Sequence, residues 1–95
     1  MKINYSGAAF ESLCDVVNYI ESLNTRGAGV RWLNRFENHL HNALSNAPVI
    51  KLCNNQTFKE LQLRCINFKD WVIAFSLHEE GVLIEAVLHS SRITD

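Results

Sequence analysis

Trp71-Val72-Ile73-Ala74-Phe75-Ser76-Leu77-His78-Glu79-Glu80-Gly81-Val82-Leu83-Ile84-Glu85-Ala86-Val87-Leu88-His89 is the stretch on which the fold turns. Its apolar residues alternate with a period of two, the spacing that puts every second side chain of a strand on one face. Trp71, Ile73, Phe75 and Leu77 share a face, and Val82, Ile84, Ala86 and Leu88 share another with Leu83, Glu85, Val87 and His89 opposite. The link His78-Glu79-Glu80-Gly81 is short enough for a hairpin. Upstream, Leu61, Leu63 and Cys65 alternate with Glu60, Gln62 and Arg64, which predicts a third strand over 58–65, joined to the second through Asn67–Asp70. Three consecutive strands with short links predict an antiparallel meander.

Before this half the period is 3.6. Phe10, Leu13, Val17 and Ile20, widened by Val16 and Leu23, predict an amphipathic helix over roughly 7–24. Ser6 is placed to cap it, and Lys2–Tyr5 predicts a short strand ahead of it. Asn24-Thr25-Arg26-Gly27 reads as a break. A second helix follows, with Val30, Leu33, Phe36, Leu40, Ala43, Leu44 and Ala47 on its apolar face, and it stops before Pro48. Trp32 falls off the centre of that stripe, a position suited to a core edge or an interface. The short link makes the two helices an antiparallel hairpin, expected to lie on the apolar face of the sheet with the other face partly open. The fold class expected is α+β, with the order β-α-α-β-β-β over one domain, 1–95.

Composition bounds the function. The chain has 95 residues, 47% hydrophobic and 20% charged, with nine basic and ten acidic residues for a net charge of −1. A disordered chain would be poorer in apolar residues. A stable, non-specific DNA binder would be basic. No apolar run reaches the ~20 residues that span a bilayer, and the start Met1-Lys2-Ile3-Asn4-Tyr5 lacks the apolar core of a secretory signal. Cys14, Cys53 and Cys65 are odd in number and show no C-x-x-C spacing. Reduced thiols in a cytoplasmic protein are the plain expectation, with Cys14 and Cys65 packed on apolar faces and Cys53 in a loop. His39 and His41, two apart on a helix, point to different faces and do not form a chelating pair.

The wording of 71–92 resembles the RelE/ParE superfamily of bacterial type II toxin–antitoxin systems, on the ParE, or plasmid stabilisation, side. The resemblance rests on Trp71-Val72-Ile73-Ala74-Phe75 and on the strand Val82–Leu88 running into His89-Ser90-Ser91-Arg92. Lys59 stands where the family often has arginine. The segment 64–70 is a few residues longer than usual, and the glycine that commonly follows the proline after the second helix is absent from Pro48-Val49-Ile50-Lys51.

This resemblance implies a toxin neutralised by a cognate antitoxin and acting on DNA gyrase by binding, with no cofactor and no metal. It leaves two alternatives: a RelE-type, ribosome-dependent mRNA endonuclease, or a non-toxic relative that keeps only antitoxin binding. A nuclease needs cations for a developing phosphorane and an acid–base group near the 2′-OH. His89, Arg92 and Arg64 are the candidates, with Arg64 and His89 both projecting from the open sheet face beside Gln62 and Glu85. The competing reading makes Arg64 a cross-strand ion-pair partner and His89 a strand-end cap. For partner binding the candidates are Lys59, Trp71, Arg31 and Arg35; with Arg26, the last two put positive charge on and before the second helix, where an acidic antitoxin segment could be steered.

Overall fold

The computed structural model of the chain describes residues 2–92. Strand β1 (Lys2–Tyr5) leads into helix α1 (Gly7–Leu23) and helix α2 (Ala28–Ala43), which continues as a 3₁₀ segment over Leu44–Val49. A short helix α3 (Gln56–Glu60) precedes strands β2 (Arg64–Phe68), β3 (Trp71–His78) and β4 (Gly81–His89), and a final 3₁₀ turn spans Ser90–Arg92. The strand order is β1-β4-β3-β2. The β2-β3-β4 part is the expected antiparallel meander, while β1 runs parallel to β4, so the sheet is mixed.

Local chemistry explains the element ends. Ser6 caps α1 by accepting the Ala9 N–H at 3.1 Å. Gly27 opens α2 with no side-chain cap of its own. Glu21, near the end of α1, supplies one instead: its carboxylate accepts the N–H of Gly27 at 2.8 Å and of Gly29 at 2.9 Å. These are orphan donors of a helix start, and the negative charge sits at the positive end of the α2 dipole. The helices approach closely at Gly29, where a Cβ would lie 2.6 Å from the Val17 carbonyl oxygen.

The core lies between the helix hairpin and one sheet face. Phe36, Leu40, Leu44, Ile73, Phe75 and Ile84 are its largest fully buried side chains. Trp32 belongs to it as well, which settles its two sequence readings: it stacks on Phe36 at 5.1 Å and meets Phe68 and Trp71 edge-on at 5.8 and 6.2 Å. Each such ring pair contributes about 0.5–1.5 kcal/mol beyond area burial. The stripes are correspondingly rotated from the expected ones. Ala9, Leu13 and Val16 are buried on α1 while Phe10 and Leu23 are exposed; on α2 Trp32 replaces Val30, which is exposed.

Two strand-level expectations are corrected. First, 58–65 is not one strand. Asn55 caps α3 by accepting the Phe58 N–H at 3.0 Å, Gln62 turns the chain with φ 59°, and Leu61 is exposed; β2 starts only at Arg64. Second, β4 does not keep one face throughout. Ala74 pairs with Ala86 but Phe75 pairs with Ile84, so Glu85 has no partner on β3. This bulge shifts the alternation by one residue: Val82, Ile84 and Val87 are buried under the helices, whereas Ala86 joins the outer face. The outer face is partly covered, in keeping with the expectation that it is only partly open. Cys53, Leu63 and Ala74 are buried there with Phe58, Cys65 and Ala86 packed against them.

The thiol expectation also changes. Cys53 and Cys65 are joined as a disulfide and Cys14 is exposed. The odd count hid a pair because the α3 turn, absent from the strand reading, folds Cys53 back over β2.

Candidate functional site

A groove of 520 Å³ opens between α1 and the C-terminal half of β4. Ser12, Asp15 and Tyr19 line its α1 wall, Val16, Trp71 and Val87 its floor, and His89 and Ser91 its far end. The wall residues sit at i, i+3 and i+7 of α1, beside the buried stripe, which places them on one helical ridge. The sequence reading missed these residues; their spacing next to Leu13 and Val16 was the available signal.

The groove exists because β1 is short. It pairs only with Gly81–Ile84, and the chain then leaves β4 after Ser6, whose N–H donates to the Ile84 oxygen at 2.8 Å and whose hydroxyl donates to the Glu85 oxygen at 3.3 Å. Beyond this point β4 continues to His89 against β3 alone. The Ser90 N–H donates toward β3, to the Asp70 oxygen, at 2.8 Å. Backbone groups alternate sides along an antiparallel strand, so Val87 and His89 direct their N–H and C=O away from β3, toward the side where β1 has ended. The result is a short sheet edge beside an apolar floor.

His89 packs edge-on against Trp71, ring centroids 5.2 Å apart. The Ser91 N–H donates to its Nδ1 at 3.2 Å, and the Ser91 hydroxyl lies 2.8 Å from the same nitrogen. A backbone N–H can only donate, so the neutral ring carries its proton on Nε2.

The bulge that buries Val87 also turns His89 to the helix side, so the expectation that His89 and Arg64 project together from the open face is corrected. Arg64 stands opposite Phe75, and its guanidinium donates to the carbonyl oxygens of Pro48 and Ile50. His89 stands opposite Trp71. The two positions lie on the strands flanking β3 and are offset by four residues along it, roughly 13 Å at about 3.3 Å per residue. Arg64 is thus a tether for the end of the 3₁₀ segment and the residue that follows it. The Arg92 side chain lies outside the described residues.

Of the other candidates, Trp71 is half-buried, forming groove floor and core edge together. Lys59 is exposed in the last turn of α3, a helix where a strand was expected. Arg31 holds the hairpin turn, donating to the Thr25 hydroxyl at 3.0 Å and to the Arg26 carbonyl oxygen at 3.3 Å; Arg35 is exposed. At the other side of the sheet, Tyr5 is half-buried, and burial followed by the Glu37 charge pushes its phenol up to about 12. Among the described residues no three metal-ligating side chains gather, and no helix is long and apolar enough to cross a membrane.

The family model described as the ParE toxin of type II toxin–antitoxin systems, parDE, matches residues 3–94. The chain belongs to the ParE toxin family. Comparison with curated proteins returns no match. Membership of this family gives the chain the role of toxin in a type II system, and with it an antitoxin partner. The chain follows the β-α-α-β-β-β order, with the short helix α3 between the second helix and the meander.

Proposed function

We propose that this ParE-family chain inhibits DNA gyrase by binding it and is neutralised by an antitoxin segment laid along the β4 edge in the α1–β4 groove. The observation that carries the first part is the engagement of Arg64 by the Pro48 and Ile50 carbonyls, away from His89. A phosphorane-stabilising cation needs free N–H groups beside the acid–base residue, and this arginine supports the loop instead. A binding toxin asks for no such pairing. The near-neutral charge of −1 also suits a protein target better than ribosomal RNA, whose phosphates attract basic proteins.

The second part rests on the groove itself. The Val87 backbone groups and the His89 N–H, directed away from β3, suit strand addition, and the Val16–Trp71–Val87 floor would take every second side chain of an added strand. The Nε2–H of His89 and the Ser12 and Tyr19 hydroxyls offer further hydrogen bonds to it.

The test uses purified full-length chain with gyrase, ATP and plasmid DNA. Accumulation of cleaved plasmid only when gyrase is present is the expected result. Intact plasmid together with cuts in mRNA on translating ribosomes would move the protein to the endonuclease reading. If neither target is affected, and expression without antitoxin leaves growth unchanged, the non-toxic reading stands.

A further inference from the structure

Helix α1 carries the carboxylates of Glu11, Asp15 and Glu21 and has no lysine or arginine. Glu21 caps the start of α2. Asp15 stands on the groove wall instead, exposed, and among the described residues its carboxylate has no hydrogen-bonding or ion-pair partner. It is the one carboxylate among the described residues that line the groove, and no lysine or arginine lines it with Asp15. Four residues on, the Tyr19 ring is exposed on the same wall, and Ser12 lies three residues before. Below this ridge Val16 and Val87 are buried and Trp71 is half-buried.

Floor and rim therefore suit different chemistry. The floor takes apolar surface, while the rim presents an unneutralised negative charge beside an aromatic ring. A side chain with an apolar stem and a cationic tip satisfies both. Arginine fits better than lysine, because a planar guanidinium bonds a carboxylate through two N–H groups at once and stacks on a tyrosine face. The Ser12 hydroxyl can accept a further N–H.

We propose that the groove is an arginine-recognition site. Given an antitoxin segment along β4, as proposed for neutralisation, one of its side chains on the helix side is an arginine. The stem of that arginine crosses Val16 and Val87, and its guanidinium is held by Asp15 and Tyr19. Asp15 is exposed in the free chain, so its charge also acts before contact and speeds encounter with a cationic segment. This is the opposite charge from a segment suited to Arg31 and Arg35, and a tail acidic throughout would meet repulsion in the groove.

The experiment titrates the cognate antitoxin into the full-length wild-type, Asp15→Asn and Asp15→Arg chains by calorimetry, and follows amide hydrogen exchange at Val87 and His89. Both variants change an exposed side chain, so thermal midpoints should stay near the wild-type value. Asp15→Asn keeps the shape and removes the charge. Its affinity should fall about tenfold, and the difference from wild type should shrink between about 50 mM and about 500 mM salt. Asp15→Arg should lose about a hundredfold. When the arginines of the antitoxin are replaced by glutamate one at a time, one replacement should restore binding to Asp15→Arg. Lysine at that same antitoxin position should weaken binding to the wild-type chain.

Unchanged affinity for Asp15→Asn would overturn the arginine site, and so would the absence of any rescuing glutamate. The amide readout separates this from failure of the groove itself. Slowed exchange at Val87 and His89 without an Asp15 effect leaves the antitoxin in the groove and removes the arginine contact. Unslowed exchange there removes the groove from neutralisation, and the arginine site with it.

Discussion

Glu21 shows how one side chain can join two elements. Its carboxylate takes the N–H groups of Gly27 and Gly29, and those two bonds, the Gly27 one foremost, with a smaller contribution from the Arg31 charge, hold it below its ordinary value of 4.5. In the unfolded chain the bonds are absent and the carboxyl titrates normally. The folded-state pKa is therefore the lower one, so the stabilisation is fully present at neutral pH and is lost as acid takes the solution below 4.5 and through the folded value. Urea unfolding midpoints followed from pH 6 downward should fall more steeply for the wild type than for Glu21→Gln. Parallel curves would show that the carboxylate charge contributes nothing there. The nitrogen assignments around His89 and the engagement of Arg64 belong to this scale too: each depends on which backbone group lies within 3.5 Å, and sequence spacing carries no such information.

At the scale of elements the decisive feature is the bulge at Glu85. Strict alternation puts Val82, Ile84, Ala86 and Leu88 together, and the sequence offers no glycine or proline to announce a break. Val87 is nonetheless buried to 2% exposure, because the strand gains more by following the helix-facing core than by keeping its phase. The same step creates the groove, since it turns Val87 into the floor and His89 into the end wall. Ser12 faces this groove from α1 and is half-buried. Ser12→Arg places a long side chain in the groove without touching the central core, and arginine is a good helix former. Affinity for the cognate antitoxin should drop at least tenfold, about 1.4 kcal/mol, with the thermal midpoint little changed. Calorimetric titration checks this, and undiminished affinity would remove the groove from antitoxin recognition. The missed α3 has a similar origin: Leu61, Leu63 and Cys65 imitate a strand, and only the Asn55 cap, legible as an Asn three residues before Phe58, argued for a helix start.

For the molecule as a whole, charge and topology make separate predictions. With ten acidic residues against nine basic ones, the chain has little counterion release to gain from a duplex. Mobility-shift measurements at roughly physiological salt should give no complex with DNA alone at about 10 µM protein, the range in which non-specific binders already associate. A salt-sensitive complex at that concentration would show a basic face that the overall balance conceals. With no complex on DNA alone, any association with DNA in the presence of gyrase is gyrase-dependent.

The chain's own pattern determined the helix hairpin, the β3–β4 hairpin and the side of β3 that α1 and α2 cover, because periods of 3.6 and 2 are written in the spacing of apolar residues and need no partner to be read. The ParE kinship was legible too, in Trp71–Phe75 and His89–Arg92. Only the tertiary structure decided the parallel docking of β1, the bulge at Glu85, the Cys53–Cys65 pairing and the separation of Arg64 from His89. All four depend on which residues meet across the sheet, where long-range contacts and the packing of Trp32 against Phe68 and Trp71 outweigh local preference.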